Sequence, residues 1–222
     1  QYLKSWKITS YKNFKPKITL RQLLSHTAGT NNSGFRGYNR KDKIPTVQQI
    51  LSGEFPTNST EVIIDVIPGT IFKYSGGGIT IAQLAICDKL KKDFSTLMDD
   101  LIFKKMNLNC SYKQPINKNT LLNYAKGYNN GGKIKGNYHI HPELAAAGLW
   151  TNSHDLSMIG LEMCLALKNK SNIFNKKIIE EMLSPQIYSD NKKNSGYGIG
   201  IGIMDNLFSH SGMNEGYITT FI

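Results

Sequence analysis

At Gly196 the chain changes period, and nothing else in it constrains the fold as strongly. Gly196-Tyr197-Gly198-Ile199-Gly200-Ile201-Gly202-Ile203 alternates strictly, which predicts a strand with its glycines on one face. Asp205-Asn206 reads as a turn, Leu207 to Gly212 as a second strand and Gly216 to Ile222 as a third. The apolar spacing before this point is mostly helical. The predicted fold class is therefore α+β, with a mainly helical lobe over 1–195 packed on antiparallel strands over 196–222. The two are expected to form one structural unit.

Within the lobe, Leu20, Leu23 and Leu24 make one apolar face of a short helix with Thr19 as N-cap. His26-Thr27-Ala28-Gly29 ends it, with Gly29 available for a left-handed C-cap. A second short helix follows Pro45, from Thr46 to Leu51. The glycine turn Ser75-Gly76-Gly77-Gly78 launches a strong helix from about Ile79 to Leu90, and another covers about Phe94 to Lys105. Asn129-Asn130-Gly131-Gly132 predicts a hairpin between Tyr128 and Ile134. Further helices are predicted from near Ser153 to Leu167 and over 173–183, with a polar loop from Ser189 to Ser195. Residues 1–17 read as an irregular connector.

Composition narrows the function classes. A chain of 222 residues with 40% hydrophobic residues can bury an ordinary core. It contains no run of 18 apolar residues, so no spanning helix is predicted. The formal net charge of +11 invites a nucleic-acid partner. However, only Arg21, Arg36 and Arg40 among the 27 basic residues carry the fork that reads phosphate and guanine bidentately. With Asn at 21 positions and the lysines scattered, the charge reads as solvated surface and no nucleic acid is expected. Cys87, Cys110 and Cys164 form no CxxC. Cys87 and Cys164 lie in apolar helical runs and read as buried free thiols. Gln1 to Trp6 holds no apolar leader region and no initiator Met, and Tyr217 to Ile222 stops inside a predicted strand. The chain is expected to be a fragment, cut at both ends.

Four motifs stand in order. They are Leu23-Leu24-Ser25-His26-Thr27-Ala28-Gly29, then Tyr74-Ser75-Gly76, then Ala146-Ala147-Gly148-Leu149-Trp150-Thr151 with His154-Asp155-Leu156, and finally His210-Ser211-Gly212 with Asn214-Glu215-Gly216-Tyr217. Together, over about residues 18–222, they resemble the serine beta-lactamase-related family. That family holds class C beta-lactamases, D-alanyl-D-alanine carboxypeptidases and esterases. The resemblance implies a beta-lactamase/transpeptidase-like fold, here incomplete at both ends, and acyl-enzyme chemistry on an ester, amide or beta-lactam-like substrate.

In that chemistry a Ser nucleophile stands one helical turn before a Lys. The resemblance puts this SxxK motif upstream of Leu20, and it is not there. Ser189-Asp190-Asn191-Lys192 matches the spacing but lies in a polar loop far too late in the order, and reads as chance. The resemblance therefore implies that the nucleophile Ser and its Lys lie upstream of this chain, and that the chain by itself is inactive. It makes Tyr74 a catalytic residue, general base and then proton donor to the leaving group. It makes His210 a catalytic donor facing the nucleophile. Gly76, Ser211, Gly212 and Met213 become substrate-binding positions, with the Met213 backbone N–H as second oxyanion donor. Many members have Asn where Gly76 stands, which tilts the expected substrate toward esters.

The implied partner is a small-molecule or peptidoglycan-like acyl substrate, with no organic cofactor and no metal. Most members work outside the cytoplasm. A non-catalytic homologue binding peptidoglycan-like or acyl ligands is the alternative. Ser25 and His26, as helical neighbours, point about a third of a turn apart and read as helix termination. His139-x-His141 with Glu143 is a thin metal-site signal, because alternate strand residues share a face but Pro142 interrupts the strand.

Overall fold

The computed structural model describes residues 2–11, 15–116, 123–189 and 195–222. In chain order they form β1 (Thr9–Ser10), α1 (Leu20–Leu24), α2 (Val47–Ser52), β2 (Ile63–Ile64), α3 (Gly76–Leu90), α4 (Phe94–Met98) running into a π-helical turn at Asp99–Phe103, and the hairpin β3 (Tyr128–Asn129) and β4 (Gly132–Lys133). Then follow α5 (Leu144–Ala147), α6 (Ser153–Leu167), α7 (Lys176–Met182), β5 (Ile187–Tyr188), β6 (Ser195–Tyr197), β7 (Gly202–Met204), β8 (Leu207–Asn214) and β9 (Tyr217–Phe221). The last five make one antiparallel sheet in sequence order, so the architecture is α+β.

The short helices are set by their caps. Thr19 and Thr46 each accept the backbone N–H of a Gln three residues on, and that Gln returns to the cap backbone, a capping box at α1 and again at α2. The residue that leaves α1 in the left-handed region is His26, at φ +56°, rather than Gly29. Gly29 has a different task. At φ +72° its backbone lies so close to β2 that an added Cβ would stand 2.2 Å from the Val66 carbonyl oxygen. Its own carbonyl accepts the N–H groups of Asp65 and Val66. Gly200 shares the left-handed φ, at +75°, with open space around its missing Cβ. Gly29→Ala is therefore expected to cost about 3 kcal/mol or more, from strain plus steric overlap, and Gly200→Ala only about 1 kcal/mol. Chemical denaturation of the two variants checks this, and equal costs would refute it.

Several expectations change. Residues 9–10 are not irregular, because Thr9 and Ser10 pair in parallel with Ile63 and Ile64. The predicted strand over Gly196 to Ile203 is two strands. A turn closed by the Gly198 N–H on the Ile201 carbonyl separates β6 from β7, since alternation of glycines keeps the same parity through a hairpin as along a strand. The sheet begins before 196, because Ile187 and Tyr188 pair with Tyr197 and Gly196. The helix expected to Lys105 relaxes to π geometry at Asp99. Cys164 is exposed, since α6 packs through Met163 and Ala166 and Cys164 turns outward between them; all three thiols are free. The chance SxxK match falls largely outside the described residues, as does most of the loop from Ser189 to Ser195.

Two of the three apolar cores among the described residues hold the halves. Leu23, Leu51, Val62, Ile81 and Leu84 lock α1, α2 and β2 around α3. Met163, Ala166, Ile179 and Ile201 join α6 and α7 to the sheet, with Phe208 and Phe221 packed on them. The Arg21 guanidinium of α1 pairs with Glu181 of α7, and the Gly200 N–H donates to the Leu24 carbonyl, so the β6–β7 turn sits against the end of α1. No helix among the described residues is long and apolar enough to cross a membrane.

Candidate active site

The elbow before α3 is fixed by its buried serine. Ser75 is the N-cap, and its Oγ accepts the Gly78 N–H at 3.0 Å while donating to the Asn32 carbonyl at 2.7 Å. With both roles taken, that hydroxyl is a structural peg rather than a nucleophile. Of the three glycines that follow, only Gly76 borders the cleft. Gly77 and Gly78 face the other way, where a Cβ would meet Val62 and Thr30 at 2.8 and 3.0 Å. Their smallness lets α3 pack closely on β2 and the loop before it.

Tyr74 stands at the tip of this elbow, half exposed, and β8 brings His210 to it. The Tyr74 hydroxyl and His210 Nε2 lie 3.5 Å apart, at the outer edge of hydrogen-bond reach, across 136 residues of chain. Their ring centroids are 6.3 Å apart. Burial raises the Tyr74 phenol above its ordinary value and lowers the His210 imidazole below its own. Near neutral pH the pair is thus an intact phenol beside an uncharged imidazole.

A third ring joins them that motif reading assigned only to helix termination. His26 is 2% exposed, and its ring lies 4.1 Å from that of Tyr74 and 4.9 Å from that of Tyr197. Burial and the neighbouring His210 lower the His26 imidazole to about 4. Its Nδ1 accepts the Ser75 N–H at 3.1 Å, and its carbonyl accepts the Lys73 N–H at 2.8 Å. Phe72 packs on Tyr197 with centroids 5.2 Å apart. Neither Tyr197 nor Phe72 was anticipated. Their one local hint is that both are aromatics beside glycine-rich turns.

Tyr74, His210, His26 and Tyr197 border a cavity of about 570 Å³. Leu20 and Leu24 of α1, Ile79, Ala82 and Ile86 of α3, and Phe94 give it apolar walls, and no serine or threonine lines it among the described residues. Gln83 reaches the lining with its amide engaged, accepting the Ala145 N–H at 2.8 Å. The remaining predicted positions lie further along β8. Alternation puts Gly212 on the face of His210 and the side chains of Ser211 and Met213 on the other, where both are exposed. Gly212 faces Thr219 so closely that a Cβ would meet its hydroxyl at 2.7 Å. β7 pairs with β8 only over Leu207 to Ser209. From His210 to Asn214 the edge of β8 away from β9 has no strand partner among the described residues.

The metal signal does not assemble. His139 is spent on the Arg36 carbonyl at 2.8 Å, and among the described residues no three His, Cys, Asp or Glu side chains are grouped to hold an ion.

The family model described as Beta-lactamase matches residues 2–222. Among solved structures the chain is similar to the octameric penicillin-binding protein homologue from Pyrococcus abyssi, at 19% identity and TM-score 0.68, covering 95% of this chain and 49% of that one. It is similar to a D-amino acid amidase from Ochrobactrum anthropi SV3, at 19% identity and TM-score 0.68 over 90% of this chain and 60% of that one. It is also similar to EstCE1, a hydrolase with promiscuous acyltransferase activity, at 15% identity and TM-score 0.65 over 90% and 59%. The chain thus spans about half to three fifths of the length of these structures. No curated protein matches.

Proposed function

Because the chain belongs to the Beta-lactamase family, we propose that it is the greater part of a serine acyl hydrolase working through an acyl-enzyme, with the nucleophile Ser and its Lys on a segment preceding residue 1. The observation that carries this is the meeting of the Tyr74 hydroxyl and the His210 imidazole at one apolar cavity. No nucleophilic hydroxyl of the described residues lines that cavity. The relatives' extra length is consistent with a further segment. The apolar walls suit a helix carrying that serine together with an acyl group.

The roles follow from the chemistry. The serine oxygen attacks the substrate carbonyl carbon and forms the new ester bond, its proton passing to the Tyr74–Lys pair. That pair returns the proton to the leaving alcohol or amine as the old acyl bond breaks. Water then repeats the attack and frees the acid. A phenol whose pKa is raised by burial acts as a base only when a cation faces it, and the incoming lysine supplies one. His210 offers an uncharged donor toward the substrate. Gly76, Gly212 and the free edge of β8 admit an extended substrate closely, and the Met213 N–H on that edge is assigned as oxyanion donor. Ser211 binds through its backbone, since its side chain faces away.

The test uses the protein extended upstream of residue 1. It is expected to turn over a short-chain nitrophenyl ester, a D-alanyl-D-alanine peptide or a chromogenic cephalosporin, and to be labelled by a fluorophosphonate at a serine before residue 1. The 222-residue chain is expected to stay unlabelled. Labelling at Ser25 or Ser189 would overturn the assignment. Saturable ligand binding without turnover by the extended protein would establish the non-catalytic alternative.

A further inference from the structure

We propose that His26 is the positioning residue of Tyr74, a two-point clamp on the elbow that carries the phenol; the catalytic consequence rests on the role proposed for Tyr74, while the clamp itself does not. The backbone on either side of Tyr74 is held by one residue. The Lys73 N–H donates to the His26 carbonyl, and the Ser75 N–H donates to His26 Nδ1. Between these anchors the imidazole lies against the Tyr74 ring, with centroids 4.1 Å apart. Tyr197 backs the imidazole from another side at 4.9 Å, with Phe72 at 5.9 Å. The phenol therefore has little freedom to leave His210.

The backbone of His26 argues that its ring is needed there. At φ +56° the residue occupies a left-handed conformation that is strained for an ordinary L-residue and that glycine or asparagine adopts more readily. A helix stop by itself calls for glycine. Glycine has no acceptor for the Ser75 amide and no surface for the Tyr74 ring. The hydrogen bond also fixes the tautomer, since an Nδ1 that accepts leaves the ring proton of the neutral imidazole on Nε2. Tyr74, Tyr197 and His210 are the titratable groups facing this imidazole in its ring and charge contacts.

The first measurement needs no variant and no activity. In the 15N-labelled chain at neutral pH, His26 Nδ1 is expected to be unprotonated and to show a scalar coupling to the Ser75 amide nitrogen. A protonated Nδ1 without that coupling would overturn the proposal. Variants then separate clamp from cap. H26G relieves the backbone but empties a buried ring site, so it is expected to lose stability, and to speed Ser75 amide exchange about 10-fold beyond that global loss and shift the Tyr74 ring resonances. H26N keeps both the left-handed conformation and an acceptor, and is expected to restore slow Ser75 exchange. In the extended protein, H26G is expected to lower kcat about 100-fold with KM within about 3-fold, and H26N to recover most of that loss. An unperturbed Tyr74 in H26G, or H26N behaving like H26G, refutes the clamp. A wholly inactive extended protein with the coupling intact refutes the catalytic reading and leaves the clamp standing.

Discussion

Replacing Tyr74 by phenylalanine in the extended protein is expected to lower kcat about 10²- to 10⁴-fold, the span usual for a positioned general acid–base group, while KM stays within several-fold. The substitution removes only the oxygen that lies 3.5 Å from His210 Nε2. The ring remains against His26, so thermal stability should stay within about 1 kcal/mol of the parent. Steady-state kinetics on the most reactive ester, with denaturation run alongside, separate the two quantities. A variant with unchanged kcat would remove Tyr74 from the chemistry. A variant that lost stability instead would make the hydroxyl a structural group.

The second large effect concerns Glu143, fully buried with neither carboxylate oxygen hydrogen-bonded to any described residue. Burial raises its carboxyl from 4.5 to about 7. Burial likewise lowers His141 from 6.5 to about 4, with His139 adding to the effect, and lowers His26 to about 4. The signs oppose one another. Between pH 4 and 6.5 the unfolded chain holds protons on both histidines that the folded chain rejects, so stability rises with pH. Between pH 4.5 and 7 the folded chain holds a proton on Glu143 that the unfolded chain has released, so that contribution falls with pH. Two rising groups outweigh one falling group below pH 6.5, and above it only Glu143 is left. Stability is therefore expected to peak near pH 6.5.

Glu143→Gln keeps the shape and removes the falling contribution. At pH 8 it should be more stable than the parent by roughly 3 kcal/mol, and near pH 4 equal to it. Urea titrations at the two pH values read this directly. If the variant is destabilised at pH 8, the carboxylate has a partner and the account of its burial is wrong.

How much of this was legible depends on the range of the forces involved. The starts of α1 and α2 are written in Thr19–Gln22 and Thr46–Gln49, because a capping box closes within four residues. Tyr74 and His210 could be picked out by motif order, although only the tertiary fold brings them within reach. His26 could not. Its residue type at a helix stop carries no local sign of what its ring will touch, and its partners Tyr74 and Tyr197 come from other elements. The β6–β7 turn was hidden for a different reason, since a glycine at every second position is compatible with both a continuous strand and a hairpin. Glu143 reads locally only as a candidate third group beside His139 and His141. Its burial is decided by packing that its neighbours in sequence do not announce.

The 136-residue separation of Tyr74 and His210 makes their meeting a property of the tertiary fold and of no local segment. Neither α3 nor β8 can hold the pair alone, because the two rings come from elements that meet only through packing of the lobe on the sheet. Under the role proposed for Tyr74, proton transfer therefore needs both halves folded together, whatever segment brings the serine.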